Sequence, residues 1–407
     1  MMMAAGAVIL PILVLCLGHV FSNAVRTMPA IAADVLTRDL GIGPEALAQL
    51  TGAFPLTFAA VMIPVGIALD RYGVKRVSLC LLAVAAGGAA MAAMATGPWS
   101  MLAAQMVLGA GCSGMLMAPI TFAARALDTQ RFALWSGIIQ AVGNTGMLLS
   151  ASPLALLIEA TDWRAGYWSC AALALVAAGA VALLVPGDRP AVARPSRGLV
   201  ADGAEVVRMA SLPAMRGVMI FVFASFAAVL GVRGLWGGPW LMEVKDLPRI
   251  EAGNILLAAT VALTIGPALA GMALRRFGRA PLLLAGSHLA AAVLILLVAA
   301  GGPGGVASRA AGLGAMPPAW DLVMLVAFGL VISFQVIAFP LVRAAVPPDQ
   351  AGRALSAANL SFFLGAAVLQ GLSGLMAGWG GAAAALATFA AGLVVCSLAF
   401  LLLHPRR

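Results

Sequence analysis

Charge is scarce in this chain: Asp, Glu, Lys and Arg make up 10% of its 407 residues, against about a quarter in a soluble domain. With 63% apolar residues and a mean hydropathy of +1.05, that scarcity excludes a water-soluble globule. Cysteine is scarce as well. The five present (Cys16, Cys80, Cys112, Cys170 and Cys396) all fall inside apolar stretches without metal-ligand or redox spacing, which excludes a disulfide framework and a dithiol motif. Acidic residues are missing from the middle of every apolar run, so an embedded carboxylate proton relay is excluded. No Ser/His/Asp, Cys/His or paired-carboxylate set lies where one cavity could gather it. Neither an enzyme, a cofactor nor a bound metal is expected.

What is present is a series of long apolar runs. Taken as stretches of about 20 or more residues bounded by charged, Gly or Pro clusters, they fall near 8–33, 46–69, 77–97, 100–124, 133–158 and 165–186. Six more follow near 216–242, 252–274, 281–300, 320–342, 354–376 and 382–403. The first run lacks a basic leader and continues through His19, Asn23 and Arg26 to Pro29, so it is expected to remain as a span. Between the two sets, 187–215 is the longest polar stretch, opening on Pro186, Pro190 and Pro195. It reads as a linker able to hold one short interfacial helix. The expected fold is an all-α integral membrane protein: twelve transmembrane helices in two six-helix bundles, 1–186 and 216–407, joined by the linker 187–215.

The formal charge of +9 follows topology rather than a nucleic-acid partner. With the amino terminus cytoplasmic, 17 basic residues fall in inside loops and 5 in outside ones, with Arg26 and Arg233 inside spans. The positive-inside rule therefore predicts both termini in the cytoplasm and a multi-pass inner-membrane protein.

The two halves repeat. Gly66-Ile-Ala-Leu-Asp70-Arg71-Tyr-Gly73-Val-Lys75-Arg76, after the second span, is matched after the eighth by Gly271-Met-Ala-Leu-Arg275-Arg276-Phe-Gly278-Arg279, at an offset of 205. Arg26 and Arg233 are 207 apart, and Pro119 to Asp128 aligns with Pro340 to Asp349 at 221. Parallel six-helix repeats are a transporter architecture, with the binding site expected between the halves near the midplane.

The loop Gly66 to Arg76 resembles the signature of the major facilitator superfamily, and with twelve spans, a central linker and a degenerate second copy the resemblance covers the whole chain. It implies that Gly66, Asp70, Arg71, Gly73, Lys75 and Arg76 form a conformational-switch loop, with Asp70 pairing with cytoplasmic cations in one state only. Three departures from the family's patterns stand out. The acidic position of the second copy is Arg275; Gln105 replaces an arginine in span four; and span five (Gly137 to Gly146) lacks the Gly-Pro motif of drug/proton antiporters. These weaken a second latch, a proton role in span four, and drug efflux.

Arg26 and Arg233 are the sharpest candidates. An arginine deep in a bilayer costs roughly 2.5 to 3.5 kcal/mol even on lenient scales. Each could snorkel or pair with a polar neighbour, or both could serve a shared cavity, where a planar fork suits carboxylate or phosphate oxygens. Organic-anion members of the superfamily use arginines in spans one and seven, so the resemblance implies anion ligands here. His19 and Asn23 lie on one face with Arg26. For His19 both a helix-to-helix hydrogen bond and proton carriage stay open, while His288 is expected to be structural. Trp236, with Trp240 beside a Gly-Gly-Pro kink, either walls the substrate or anchors the interface. Gln140, Asn144, Gln335 and Asn359 are further polar candidates within spans. Gly109-Ala-Gly111-Cys-Ser-Gly114 fits a dinucleotide pattern but lies inside a span, where its glycines are expected to serve helix packing.

The expected function is secondary transport of a small organic anion, of carboxylate or phosphate type, by alternating access. Its expected partners are that anion, the lipid bilayer, and protons or a counter-anion, with the chain as a monomer and no nucleic acid. The alternatives are a drug or copper transporter of the same fold, although no His-x-x-x-Met occurs, and a non-transporting sensor or assembly factor.

Overall fold

A computed structural model describes residues 2–127, 129–187, 204, 208–346 and 351–403. Most of the linker expected at 187–215 and the carboxyl-terminal arginines lie outside the described residues, as does the Asp70 side chain. The described chain is helical throughout and packs as two compact units, Met1–Met28 with Ala53–Asp202 and Pro29–Gly52 with Gly203–Arg407.

Eleven helical stretches among the described residues are long and apolar enough to cross a membrane. The last, Ala357–Leu403, is 47 residues long and departs from helical geometry at Gly380 and Gly381 (φ 64°). At 1.5 Å per residue it is twice the length one crossing needs, so it holds the two final expected spans, separated by that glycine pair.

The first unit contains α1 (Met2–Leu40), α2 (Pro44–Tyr72), α3 (Val74–Ala93), α4 (Pro98–Cys112), α5 (Met117–Ala126), α6 (Thr129–Leu149), α7 (Ser152–Ala160) and α8 (Trp163–Leu184), apart from the 29–52 segment of α1 and α2. Helix α1 runs seven residues past its expected end. The residues after Pro29 (Ala30, Ile31, Ala32, Ala33) are fully buried and continue the helix. It stops at Gly41, which at φ 63° takes the left-handed position, while Ile42 N–H returns to Thr37 O (3.0 Å), the closing bond of a Schellman motif. Span four is split into α4 and α5 by turns at 113–116, and span five into α6 and α7 by turns at 150–151. The glycines at 109 and 111 pack as expected: a Cβ would lie 2.3 Å from Phe54 O and 2.6 Å from Ala85 N respectively.

The second unit holds α9 (Pro213–Gly231), α10 (Arg249–Phe277), α11 (Ala280–Ala300), α12 (Val306–Ala310), α13 (Pro318–Ile332), α14 (Ala338–Ala344) and α15 (Ala351–Leu403). Span seven continues beyond α9 through two π-helical segments, Val232–Trp236 and Trp240–Val244, separated by Gly237–Pro239. Span ten passes from α13 into α14 through a 3₁₀ segment, Ser333–Ile337. A fully buried ion pair, Lys245 to Asp321 at 3.0 Å, lies at the end of these spans. Trp240 Nε1 donates to the same carboxylate (2.7 Å) and Lys245 Nζ to Gly301 O (2.9 Å), which fixes the glycine-rich loop after α11.

Candidate functional site

In the first unit, α1 carries three of the expected site residues, His19, Asn23 and Arg26. Arg26 is half-buried; its Nε donates to Ser22 O (2.9 Å) and its Nη2 to Ser22 Oγ (2.7 Å). The guanidinium lies 5.9 Å from the centroid of Phe58 on α2, within cation–π range. Nε and one Nη are thus hydrogen-bonded one helical turn back on the same helix, and the Phe58 ring adds a contact from α2.

His19 and Asn23 take a different direction from Arg26, although spacing puts them near the same stripe. Both are buried, with Asn23 Nδ2 3.5 Å from His19 Nε2. The imidazole lies directly over Gly143 of α6, where a Cβ would come within 1.7 Å of it, and a Cβ at Gly146 would meet Val20 O. Thr27, one turn beyond Asn23, is hydrogen-bonded to Ser150 at the break between α6 and α7. His19, Val20 and Thr27 therefore form the seam between spans one and five, with Asn23 beside His19 on the same helix, a small-residue packing of the kind that lets membrane helices approach closely. On the same span, Gln140 Nε2 donates to Asn144 Oδ1 (3.4 Å); Gln140 is exposed and Asn144 buried.

In the second unit, Arg233 and Trp236 both fall in the first π segment. A π-helical turn widens the helix and redirects its side chains, and such turns recur at functional sites. Arg233 is 3% exposed, its Nε donating to Thr260 Oγ1 of α10 (2.7 Å). It borders a narrow void lined with Val232, Leu256, Leu263, Leu325 and Phe328. Trp236 Nε1 donates to Ser373 Oγ (2.8 Å). Trp240, expected either at the substrate or at the interface, is instead buried against Asp321. Gln335 sits in the 3₁₀ segment and accepts from Ser225 Oγ (3.0 Å), which is also 2.7 Å from His288 Nε2. His288 is fully buried and bonded between α9 and α11, in keeping with a structural histidine. Asn359 is half-buried on α15.

Of the switch-loop residues, Gly73 ends α2 at φ 89°, a conformation for which glycine is the default residue. Arg71 and Arg76 are exposed, and Lys75 is half-buried in the first turn of α3.

Sequence reasoning places Ser22 beside Arg26 on span one but missed the other partners that orient these groups: Phe58, Thr260 and Ser373. It also missed the interruptions. Ser113 opens the break of span four, donating to Ala110 O (2.7 Å), and Ser333 opens that of span ten, donating to Leu263 O (3.0 Å). Their offset of 220 is one residue from the 221 of the repeat already visible around Pro119 and Pro340, and it was the available signal.

The sequence model of the Major Facilitator Superfamily matches residues 15–339. Among curated proteins, the chain is 21% identical over 239 residues to a methylenomycin A resistance protein of Bacillus subtilis (strain 168), covering 57% of this chain and 47% of that protein. It is 28% identical over 157 residues to the cephamycin export protein CmcT of Amycolatopsis lactamdurans, covering 37% and 31%. The chain thus spans less than half the length of these curated relatives. Among solved structures, the nucleoside transporter NupG superposes with a TM-score of 0.75 at 16% identity, over 100% of this chain and 100% of the other. A POT family transporter in complex with 5-aminolevulinic acid gives 0.77 at 12% identity, over 97% and 95%. At such identities the likeness is one of fold.

Proposed function

Because the chain belongs to the major facilitator superfamily and is a membrane transporter of that type, we propose that its solute is a small organic anion bearing a carboxylate or phosphate. The observation that carries this reading is Arg26: a half-buried guanidinium in the middle of an apolar helix, oriented by Ser22 and flanked by an aromatic ring. Arg233, at the matching place in the second repeat, supports it from a segment whose helix is already opened. Charge-assisted bonds from such groups favour anionic oxygens. Gln140, Asn144, Gln335 and Asn359 supply neutral donors and acceptors for the rest of the solute, and Trp236, its indole N–H given to Ser373, supplies an aromatic wall.

The halves 1–186 and 216–407 act as the two arms of alternating access, with both termini cytoplasmic in the inner membrane and the loop around Asp70 as the latch. The scarcity of carboxylates within spans favours anion exchange or potential-driven movement, with His19 as the protein's own proton carrier if a pH gradient drives uptake. A second reading, export of an antibiotic-like compound, is favoured by the similarity to the methylenomycin A resistance protein and the cephamycin export protein.

Thermal melting of the purified protein against carboxylates, phosphate esters, neutral nucleosides and cations tests the choice, since a ligand of the folded state raises its stability. Anions should raise the melting temperature and lose that effect in Arg26→Ala. Stabilisation by neutral or cationic compounds alone would transfer the argument to the export reading.

A further inference from the structure

Three helices meet at one face of the first unit: α1 at Leu10 and Pro11, α3 at its first turn and α8 at its end. They leave between them a cleft of about 430 Å³, the size of a small-molecule site. Its cause is local. Residues before proline avoid the α conformation, so Val185, preceding Pro186, turns extended (φ −88°, ψ 123°) and α8 ends at Leu184. At the other wall, Gly73 in its left-handed conformation starts α3 one residue before Lys75. The chain leaving α8 and the chain entering α3 thus diverge around an open space.

The walls are apolar except at one point. Leu10, Leu183 and Leu184 are 49%, 84% and 47% exposed, and with Val185 and Pro186 they surround Lys75, the one charged lining residue among the described residues. Leu10 begins span one, Leu184 ends span six and Lys75 lies in the first turn of span three, so the cleft lies where hydrocarbon gives way to headgroups. Arg71 and Arg76 are exposed on the same loop, adding positive potential on that side. An ammonium set at the rim of an apolar slot matches one kind of membrane component, a molecule with an anionic phosphodiester at one end and a hydrocarbon chain at the other.

We propose that this cleft binds an anionic phospholipid, its phosphate on Lys75 and an acyl chain along Leu183 and Leu184 against Leu10. A basic residue near the membrane surface is worth about 1 kcal/mol toward anionic lipid, or roughly fivefold. The slot adds a shape requirement that bulk surface charge lacks.

Native mass spectrometry of the full chain in detergent, with phosphatidylglycerol and phosphatidylethanolamine at equal concentration, tests this. The wild type should retain phosphatidylglycerol about fivefold over phosphatidylethanolamine. Lys75→Gln should abolish the preference and Lys75→Arg keep it. Leu183→Trp, which fills the slot without touching charge, should reduce retention of both lipids, whereas Leu402→Trp, equally exposed on α15, should leave both unchanged. Absence of a preference in the wild type, or wild-type retention in both Lys75→Gln and Leu183→Trp, overturns the proposal. So does displacement of the lipid by glycerol phosphate alone, which would make the ligand a soluble phosphate ester.

Discussion

Arg26 and Arg233 occupy matching places in two copies of one repeat, yet the structure treats them differently. Arg26 is half-buried and oriented within its own helix by Ser22. Arg233 is buried in a π-helical turn and held from another helix by Thr260. Local hydrogen bonds tie the Arg26 guanidinium to its own helix, with the Phe58 ring of α2 beside it; a bond across helices makes Arg233 part of the tertiary packing. Sequence equivalence therefore carries over the charge and its depth, but not its structural weight, and variants at the two sites should separate stability from binding.

The largest effect is expected at Arg233. Arg233→Ala removes a buried side chain beside an existing void and orphans the Thr260 contact, so it should lower the folding stability of the second unit by about 2 to 4 kcal/mol, read as a marked drop in melting temperature, and abolish anion binding as well. Arg26→Ala should weaken anion binding by about 30-fold, roughly 2 kcal/mol, with the melting temperature of the unliganded protein nearly unchanged. Equal losses of stability in the two variants would erase the contrast.

The partners sharpen it further. Thr260→Val deletes an acceptor of a charged donor and should cost about 1.5 to 3 kcal/mol, whereas Ser22→Ala leaves Arg26 its bond to the Ser22 carbonyl and should cost under about 1 kcal/mol; thermal melting of both variants decides. The same asymmetry is expected between the repeated loops. Asp70→Asn should slow turnover in proteoliposomes while leaving ligand affinity within a few fold, and Arg275→Gln should change neither; normal transport by Asp70→Asn removes the latch. The smallest effect is expected from His19→Gln, which should keep solute exchange and lose only accumulation driven by a pH gradient. If that accumulation persists, His19 serves the seam with Gly143 alone.

The spans, the repeat and the family signature were legible because each is a property of composition along the chain: bilayer thickness dictates the length of apolar runs, and a duplicated unit keeps its glycines and charges at a constant offset. Helix ends were legible where one residue enforces them, as Gly73 and Pro186 do, but not at the end of span one, where buried residues carry α1 past 33 to Leu40. The π turn at Val232–Trp236, the direction taken by His19 and the pairing of Lys245 with Asp321 were not legible, since each depends on what a neighbouring helix offers. The amino-acid sequence by itself determined a twelve-span transporter with two arginines at matching depth. Only the tertiary structure decided that one of them hydrogen-bonds to a serine of its own helix and the other to a threonine of a second helix, because hydrogen-bond partners distant in sequence are chosen by packing, and packing is settled when the helices meet.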